Sequence, residues 1–124
     1  FSYSLTPYGG AAEATKTAGE LNSPLKSVIE AFHGGKLGTE SCGLRVSSVN
    51  VIVTAFKKAE DGNGYVLRAY ECEGRSAETN IELLSANVRF NARFKPFEIK
   101  TFRIFNGKVT ETDLKEDELC LTDI

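Results

Sequence analysis

The sequence has 124 residues, a length that suits one domain with a single hydrophobic core. Hydrophobic residues make up 41% of it and charged residues 26%, which argues against a disordered chain and against a membrane-spanning one. The formal net charge is −2, and the basic residues are interleaved with acids. The basic residues therefore form no patch of the kind that would indicate a nucleic-acid partner.

The N-terminal third gives few clear signals. Residues 1–5 alternate apolar and polar side chains, which predicts a short strand that ends at Pro7. Residues 9–19 are small and polar, typical of a loop or a frayed helix. Because the chain begins at Phe1 in strand-like alternation and contains no methionine, we expect it to be a piece of a longer protein.

Residues 25–32 have helical periodicity. Ser23 suits the N-cap, Pro24 suits the first turn, and Gly34 suits the end of a helix. The apolar residues that recur three or four positions apart are Leu25, Val28, Ile29 and Phe32. The residues alone therefore predict a helix here.

The charged stretch 53–74 predicts a β-hairpin. Residues 50–56 are β-branched and aromatic, typical of a buried strand, and residues 65–70 have the pattern of a return strand. Between them stand Asp61-Gly62 and Asn63-Gly64, both of which can supply the positive φ that hairpin turns require.

Further strands follow with a period of two. Thr79, Ile81 and Leu83 share one face of the next strand. The strand after it places apolar residues on one face and polar residues on the other; the apolar set is Val88, Phe90, Ala92 and Phe94. Pro96 ends this pattern.

Two more strands are predicted at 97–105 and 108–112, joined by a turn at Asn106-Gly107. Residues 114–124 are acid-rich and predict a C-terminal tail. Many short strands joined by turns favour an all-β fold, an antiparallel β-sandwich, and we assign residues 1–113 to one such domain.

Metal and thiol chemistry have little support in the sequence. His33 is the single histidine, next to two glycines, and a loop position is the favoured interpretation because a zinc site needs three or four ligands. The cysteines, Cys42, Cys72 and Cys120, are far apart and odd in number, so they do not form a disulfide framework. We expect a reducing, intracellular compartment.

Four carboxylates that flank one hairpin are candidates for acid–base catalysis: Glu60, Asp61, Glu71 and Glu73. Glycoside hydrolysis needs two carboxylates about 5–9.5 Å apart. Acids near a turn are more often solvated, so the structural interpretation is favoured. The absence of tryptophan from the sequence also argues against a sugar-stacking platform.

Four motifs in order resemble one family. They are YSLTPY at 3–8, ELNSPL at 20–25, KKAEDGNGYVLRAYE at 57–71 and PFEIKTF at 96–102. Together they are similar to the C-terminal β-sandwich of the glycoside hydrolase family 38 α-mannosidases. Tyr8 departs from the pattern, since many members have histidine there, which puts any role of that histidine in doubt.

The resemblance implies a strand rather than a helix at 25–32. It also implies a parent enzyme that is a zinc-dependent retaining α-mannosidase, whose metal ligands and aspartate nucleophile lie in an upstream domain. No catalytic, cofactor-binding or metal-binding residue carries over onto this chain. The expected partners are the catalytic and middle domains of the parent, or a second copy in a homo-oligomer, with no nucleic acid and no membrane. The expected location is cytoplasmic.

Arg68 and Glu71 are the residues that we single out for a domain interface. Three positions apart on a strand, they lie on opposite faces, so both cannot be ordinary surface charges if one face is buried. The function implied is a non-catalytic support domain that is inactive alone. A carbohydrate-binding module and an independent interaction domain are the alternatives.

Overall fold

The computed structural model of the chain describes residues 3–36 and 38–117. A helix, α1 (Ala11–Asn22), comes first and buries no side chain. The strands are β1 (Leu44–Val46), β2 (Val51–Lys58), β3 (Tyr65–Glu71), β4 (Ala77–Leu83), β5 (Val88–Phe94), β6 (Ile99–Phe105) and β7 (Lys108–Thr112). One turn of 3-10 helix, Leu84–Ala86, connects β4 to β5. Among the described residues, no helix is long and apolar enough to cross a bilayer.

The strands form two antiparallel sheets that face each other. Sheet A has the order β1-β4-β5, and sheet B has the order β2-β3-β6-β7. Between the sheets lies a core of buried residues: Val51, Leu67, Ala69, Ile81, Leu83, Val88, Ala92, Phe94, Phe102 and Ile104. The prediction of an all-β antiparallel sandwich is confirmed.

Period-two patterning explains why these strands face the core as they do. In β5, Val88, Ala92 and Phe94 are buried and Phe90 is half-buried, whereas the polar side chains between them are exposed. Phe102 of sheet B packs between two rings of sheet A, with its centroid 5.0 Å from that of Phe90 and 6.3 Å from that of Phe94. These aromatic contacts join the two sheets and stabilise the sandwich beyond the burial of area alone.

The predicted hairpin at 53–74 is confirmed as β2 and β3. Lys58 pairs with Tyr65 at its end, and the N–H of Ala59 donates to the carbonyl of Gly64 at 3.1 Å. Gly62 and Gly64 both have positive φ, at 80° and 83°. Gly62 and Gly64 therefore supply the positive φ angles from which the hairpin turn was predicted.

The N-terminal predictions were less accurate. Residues 3–5 are not a strand, and the helix α1 is longer than the loop or frayed helix expected at 9–19. Residues 25–32 form neither the helix predicted from periodicity nor the strand implied by resemblance. Their four large apolar side chains are each at least 87% exposed. Periodicity identifies side chains that gain from burial, but neither element forms here, where no surface of the described residues covers them.

The predicted strand 97–105 begins two residues late, at Ile99. Phe97 has a φ of +58°, and the N–H of Glu98 donates to the carbonyl of Lys95 at 3.1 Å, so these residues form a turn. Of the predicted tail, the structure describes residues 114–117, which turn back over sheet B; the remainder lies outside the described residues.

Candidate domain interface

Glu71 lies at one end of the sandwich, where the loops after β1, β3 and β5 meet. It is the last residue of β3, on the core side of sheet B, and it is fully buried. Five N–H groups donate to its carboxylate: Asn50 Nδ2 and the Glu73 N–H to Oε1 at 2.9 and 2.7 Å, and the N–H groups of Gly74, Arg75 and Phe97 to Oε2 at 2.8, 3.2 and 3.0 Å.

These donors set the ionisation of Glu71. Burial by itself raises the pKa of a carboxyl group. Here the backbone N–H groups of Phe97, Glu73 and Gly74 and the amide of Asn50 outweigh burial and lower the pKa of Glu71 to about 2. Glu71 is therefore a carboxylate at neutral pH, and its charge is matched by donors of this chain.

The Glu71 network also fixes an aromatic ring at the surface. The ring of Phe97 lies directly over Gly74, where a Cβ would come 2.6 Å from Cζ of the ring. Gly74 has a φ of +74°, so both its conformation and its lack of a side chain are required. As a result the loop 72–76 and the turn 95–98 are held against each other.

Arg68 lies on the opposite face of β3, as the spacing predicted. Its Nε donates to Thr101 Oγ1 of β6 at 3.2 Å, and its Nη2 donates to the carbonyl of Leu114 at 3.0 Å. Arg68 thus ties residues 114–117 to the outer face of sheet B. The structure does not bring Arg68 and Glu71 together, and their role at a domain interface stays a prediction.

Lys57, Glu60 and Asp61 of the β2–β3 hairpin are paired within the chain. Lys57 forms ion pairs with Glu60 and with Glu116, the latter at 2.7 Å, and Asp61 pairs with Arg103. The hydrogen bond from Arg103, with a second from the N–H of Asn63, lowers the pKa of Asp61. Lys57 similarly lowers the pKa of the buried Glu116. These contacts hold the hairpin and residues 113–117 against each other.

Among the described residues, the sulfur and imidazole groups do not assemble into a site. His33 is exposed beside Glu30, Cys42 is exposed, and Cys72 is buried. Burial, together with the carboxylates of Glu71 and Glu73, raises the pKa of the Cys72 thiol, so it stays protonated. Cys120 lies outside the described residues. Within residues 3–36 and 38–117, no three His, Cys, Asp or Glu side chains gather where they could hold a metal ion.

Half-buried and exposed apolar side chains lie near the Glu71 end of the sandwich. Ile52, Tyr70 and Ile99 are neighbours across β2, β3 and β6 on the outer face of sheet B. Ile99 is 57% exposed, and Phe97, two residues before it, is 69% exposed. We call Ile52, Tyr70, Phe97 and Ile99 the end patch. The sequence predicted the strands that carry the end patch, but not the turn at 95–98 that exposes the Phe97 ring.

Comparison with known proteins gives one family. No curated protein and no solved structure matches the sequence. The family model described as the glycosyl hydrolases family 38 C-terminal beta sandwich domain matches residues 50–93. That range runs from Asn50, a donor to Glu71, through the hairpin and β4 into β5. Residues 50–93 of this chain are therefore similar to the C-terminal β-sandwich domain of the family 38 glycosyl hydrolases.

Proposed function

We propose that this chain is the non-catalytic C-terminal support domain of a family 38 α-mannosidase. The observation that carries the proposal is the family match from β2 into β5, which includes the central strand of sheet A, β4, and one of the two central strands of sheet B, β3. The domain would pack against the catalytic and middle domains of the parent and help to fix their relative positions.

The state of the carboxylates supports a non-catalytic role. Glu71 accepts five hydrogen bonds, Asp61 pairs with Arg103, and Glu73 pairs with Arg75. Glu60 pairs with Lys57. A general acid needs a raised pKa to hold its proton at neutral pH, whereas the pKa values of Glu71 and Asp61 are lowered.

The exposed apolar segment supports a partner within the parent. Leu25, Val28, Ile29 and Phe32 project from residues 25–32 into solvent. Large apolar surfaces of this kind mark protein interfaces in soluble proteins. A neighbouring domain that covers this segment would account for its composition, and the parent's middle domain is the partner that we propose.

By resemblance, the parent would hydrolyse α-mannosides with retention of configuration, and zinc in its catalytic domain would assist the sugar. A cytoplasmic location stays a prediction, as does assembly into a homo-oligomer.

Enzyme assays on a matched pair of proteins test the proposal. The full-length parent and the 124-residue chain would each be given a chromogenic α-mannoside with zinc. We expect turnover by the parent and none by the chain alone. Zinc-dependent turnover by the chain would contradict a support role, and saturable binding of mannosides by the chain would favour a carbohydrate-binding module instead.

A further inference from the structure

We propose that Phe97 is the anchor through which the sandwich docks onto the domain that precedes it in the parent enzyme. This inference rests on the proposed function and names the contact that the support role requires. Phe97 would insert its ring into an apolar pocket of that domain, with the other residues of the end patch packing around it.

The first argument is the conformation of Phe97. Its φ of +58° lies in the left-handed region, which a bulky side chain rarely adopts. The conformation persists because the Phe97 N–H donates to Glu71 Oε2 at 3.0 Å and its ring rests on Gly74. Strained residues held by their surroundings cluster at sites of binding and catalysis. The strain here serves to present an aromatic ring that is 69% exposed.

The second argument is that the ring is already ordered before any partner binds. Aromatic anchors contribute most to an interface when little side-chain freedom is lost on association. The Glu71 network fixes the loops on both sides of Phe97, so the ring meets a partner in one position. Glu71 is then a positioning residue: it is buried itself, and it acts at the interface through Phe97.

The third argument is the composition around the ring. Ile99 follows on β6, and Tyr70 and Ile52 continue the apolar row across sheet B. Lys95 and Glu98 flank the same turn, with the Lys95 N–H donating to Glu98 Oε2 at 2.7 Å. An apolar centre with charged residues at its edge is the usual anatomy of a protein–protein interface.

The fourth argument identifies the occupant. The N-terminal arm, residues 3–22, passes the same end of the sandwich: a Cβ on Gly10 would lie 3.4 Å from Glu73 Oε1. Between the arm and the sandwich runs an open groove of about 590 Å³, bordered by Gly9, Glu13, Val49 and Ile52 among others. A domain joined to the N-terminal end of this arm would therefore lie near the end of the sandwich that carries Phe97. This continuity favours the preceding domain over a second copy of the chain.

The test uses the full-length parent with Phe97→Ala and, separately, Phe97→Asn. Asparagine tolerates the left-handed conformation, so the second variant removes the ring while keeping the turn. Phe105→Ala is the matched control, because Phe105 also presents an exposed phenylalanine ring (46%) but lies at the far end of β6, at the hairpin beside Gly64. Limited proteolysis would measure the rate at which the sandwich is released from the parent.

Both Phe97 variants are expected to release the sandwich at least about tenfold faster than the unsubstituted parent, and Phe105→Ala at an unchanged rate. Amide hydrogen exchange of β3 would stay slow in all variants, which shows that the sandwich itself remains folded. Unchanged release from both Phe97 variants would overturn the inference, as would equal acceleration by Phe105→Ala or loss of β3 protection.

Two further outcomes separate the inference from the proposed function. A parent that fails to hydrolyse α-mannosides would overturn the proposed function, while faster release from the Phe97 variants would still support the docking role. A full-length protein with no preceding domain would overturn both. Variants that convert a dimer into a monomer without faster release would assign the end patch to a second copy, and would overturn the inference alone.

Discussion

The carboxylate of Glu71 joins three loops that are distant in sequence. Asn50 precedes it by 21 residues and Phe97 follows it by 26, and both donate to it. An unpaired charge buried in a sandwich would be strongly destabilising. Hydrogen bonds from N–H groups to an ionised acceptor are stronger than those between neutral groups, and here they offset the desolvation.

Glu71→Gln is expected to lower the melting temperature of the chain by roughly 10 °C at neutral pH. Glutamine keeps the size of the side chain, but its NH₂ group would face N–H donors and cannot accept hydrogen bonds from them. Glu78→Gln is the control, because Glu78 is exposed and its ion pair with Arg93 is a surface contact. Thermal unfolding followed by circular dichroism measures both, and equal melting temperatures would contradict the account of Glu71.

The same variant has a defined pH dependence. The pKa of Glu71 is about 2 in the folded chain, against an ordinary value of 4.5. A lowered pKa stabilises the fold above pH 4.5, and this contribution is lost as the pH falls from 4.5 towards 2. The difference in melting temperature between the unsubstituted chain and Glu71→Gln should therefore shrink through this window. Asp61 and Glu116 act with the same sign, so both proteins should also lose stability in acid.

At the residue scale, the sequence predicted which face of a strand a side chain lies on, but not which residues it contacts. A spacing of three predicted that Arg68 and Glu71 would lie on opposite faces of a strand, because side chains alternate along β-structure. It could not identify Asn50 or Phe97 as donors to Glu71, since those contacts depend on how the loops fold in space. Nor did the acid-rich composition after residue 113 indicate that Glu116 is buried against Lys57.

At the scale of elements, the β2–β3 turn offers a comparison between two glycines. Gly62 and Gly64 have nearly the same positive φ, so alanine is strained at both. A Cβ on Gly62 would meet nothing within 4 Å, whereas a Cβ on Gly64 would lie far inside contact distance of the Ile104 carbonyl oxygen. The close approach arises because β3 pairs with β6 immediately after the turn.

Gly62→Ala is expected to destabilise the chain by about 1 kcal/mol, the cost of the left-handed conformation. Gly64→Ala should destabilise it by at least about 3 kcal/mol, because the backbone of β6 must also move. Urea unfolding would measure both free energies. Equal values would show that β6 moves aside easily and that the contact with Ile104 does not constrain the turn.

Elements with strict alternation or a strong turn signal were predictable from the sequence, and elements that need a neighbour were not. Strand β5 alternates over its whole length, and the hairpin turn contains two Gly-containing pairs. Residues 25–32 have a clear helical period, yet they form no regular element because the described chain offers them no surface. Strand β6 begins late because Phe97 is held in a turn by Glu71, a contact that local pattern cannot show.

On the scale of the whole molecule, the large apolar residues fall into a buried set and a solvent-exposed set. The inward-facing apolar residues of β2–β6 fill the core between the sheets, while those of 25–32 face solvent. Helix α1 also buries no side chain. The stability of the sandwich should thus be independent of residues 25–32, whereas its tendency to associate should depend on them.

Replacing Leu25, Val28, Ile29 and Phe32 together by serine tests this division. The melting temperature of the chain should change by less than about 2 °C, because surface substitutions remote from packed features have small effects. Binding of a hydrophobic dye and self-association at high concentration should both fall markedly. In the full-length parent, the same four substitutions should lower stability and raise protease sensitivity, because there the segment is proposed to be covered by the middle domain. A large loss of stability in the isolated chain would instead mean that residues 25–32 pack on the sandwich itself, and the partner proposed for them would no longer be needed.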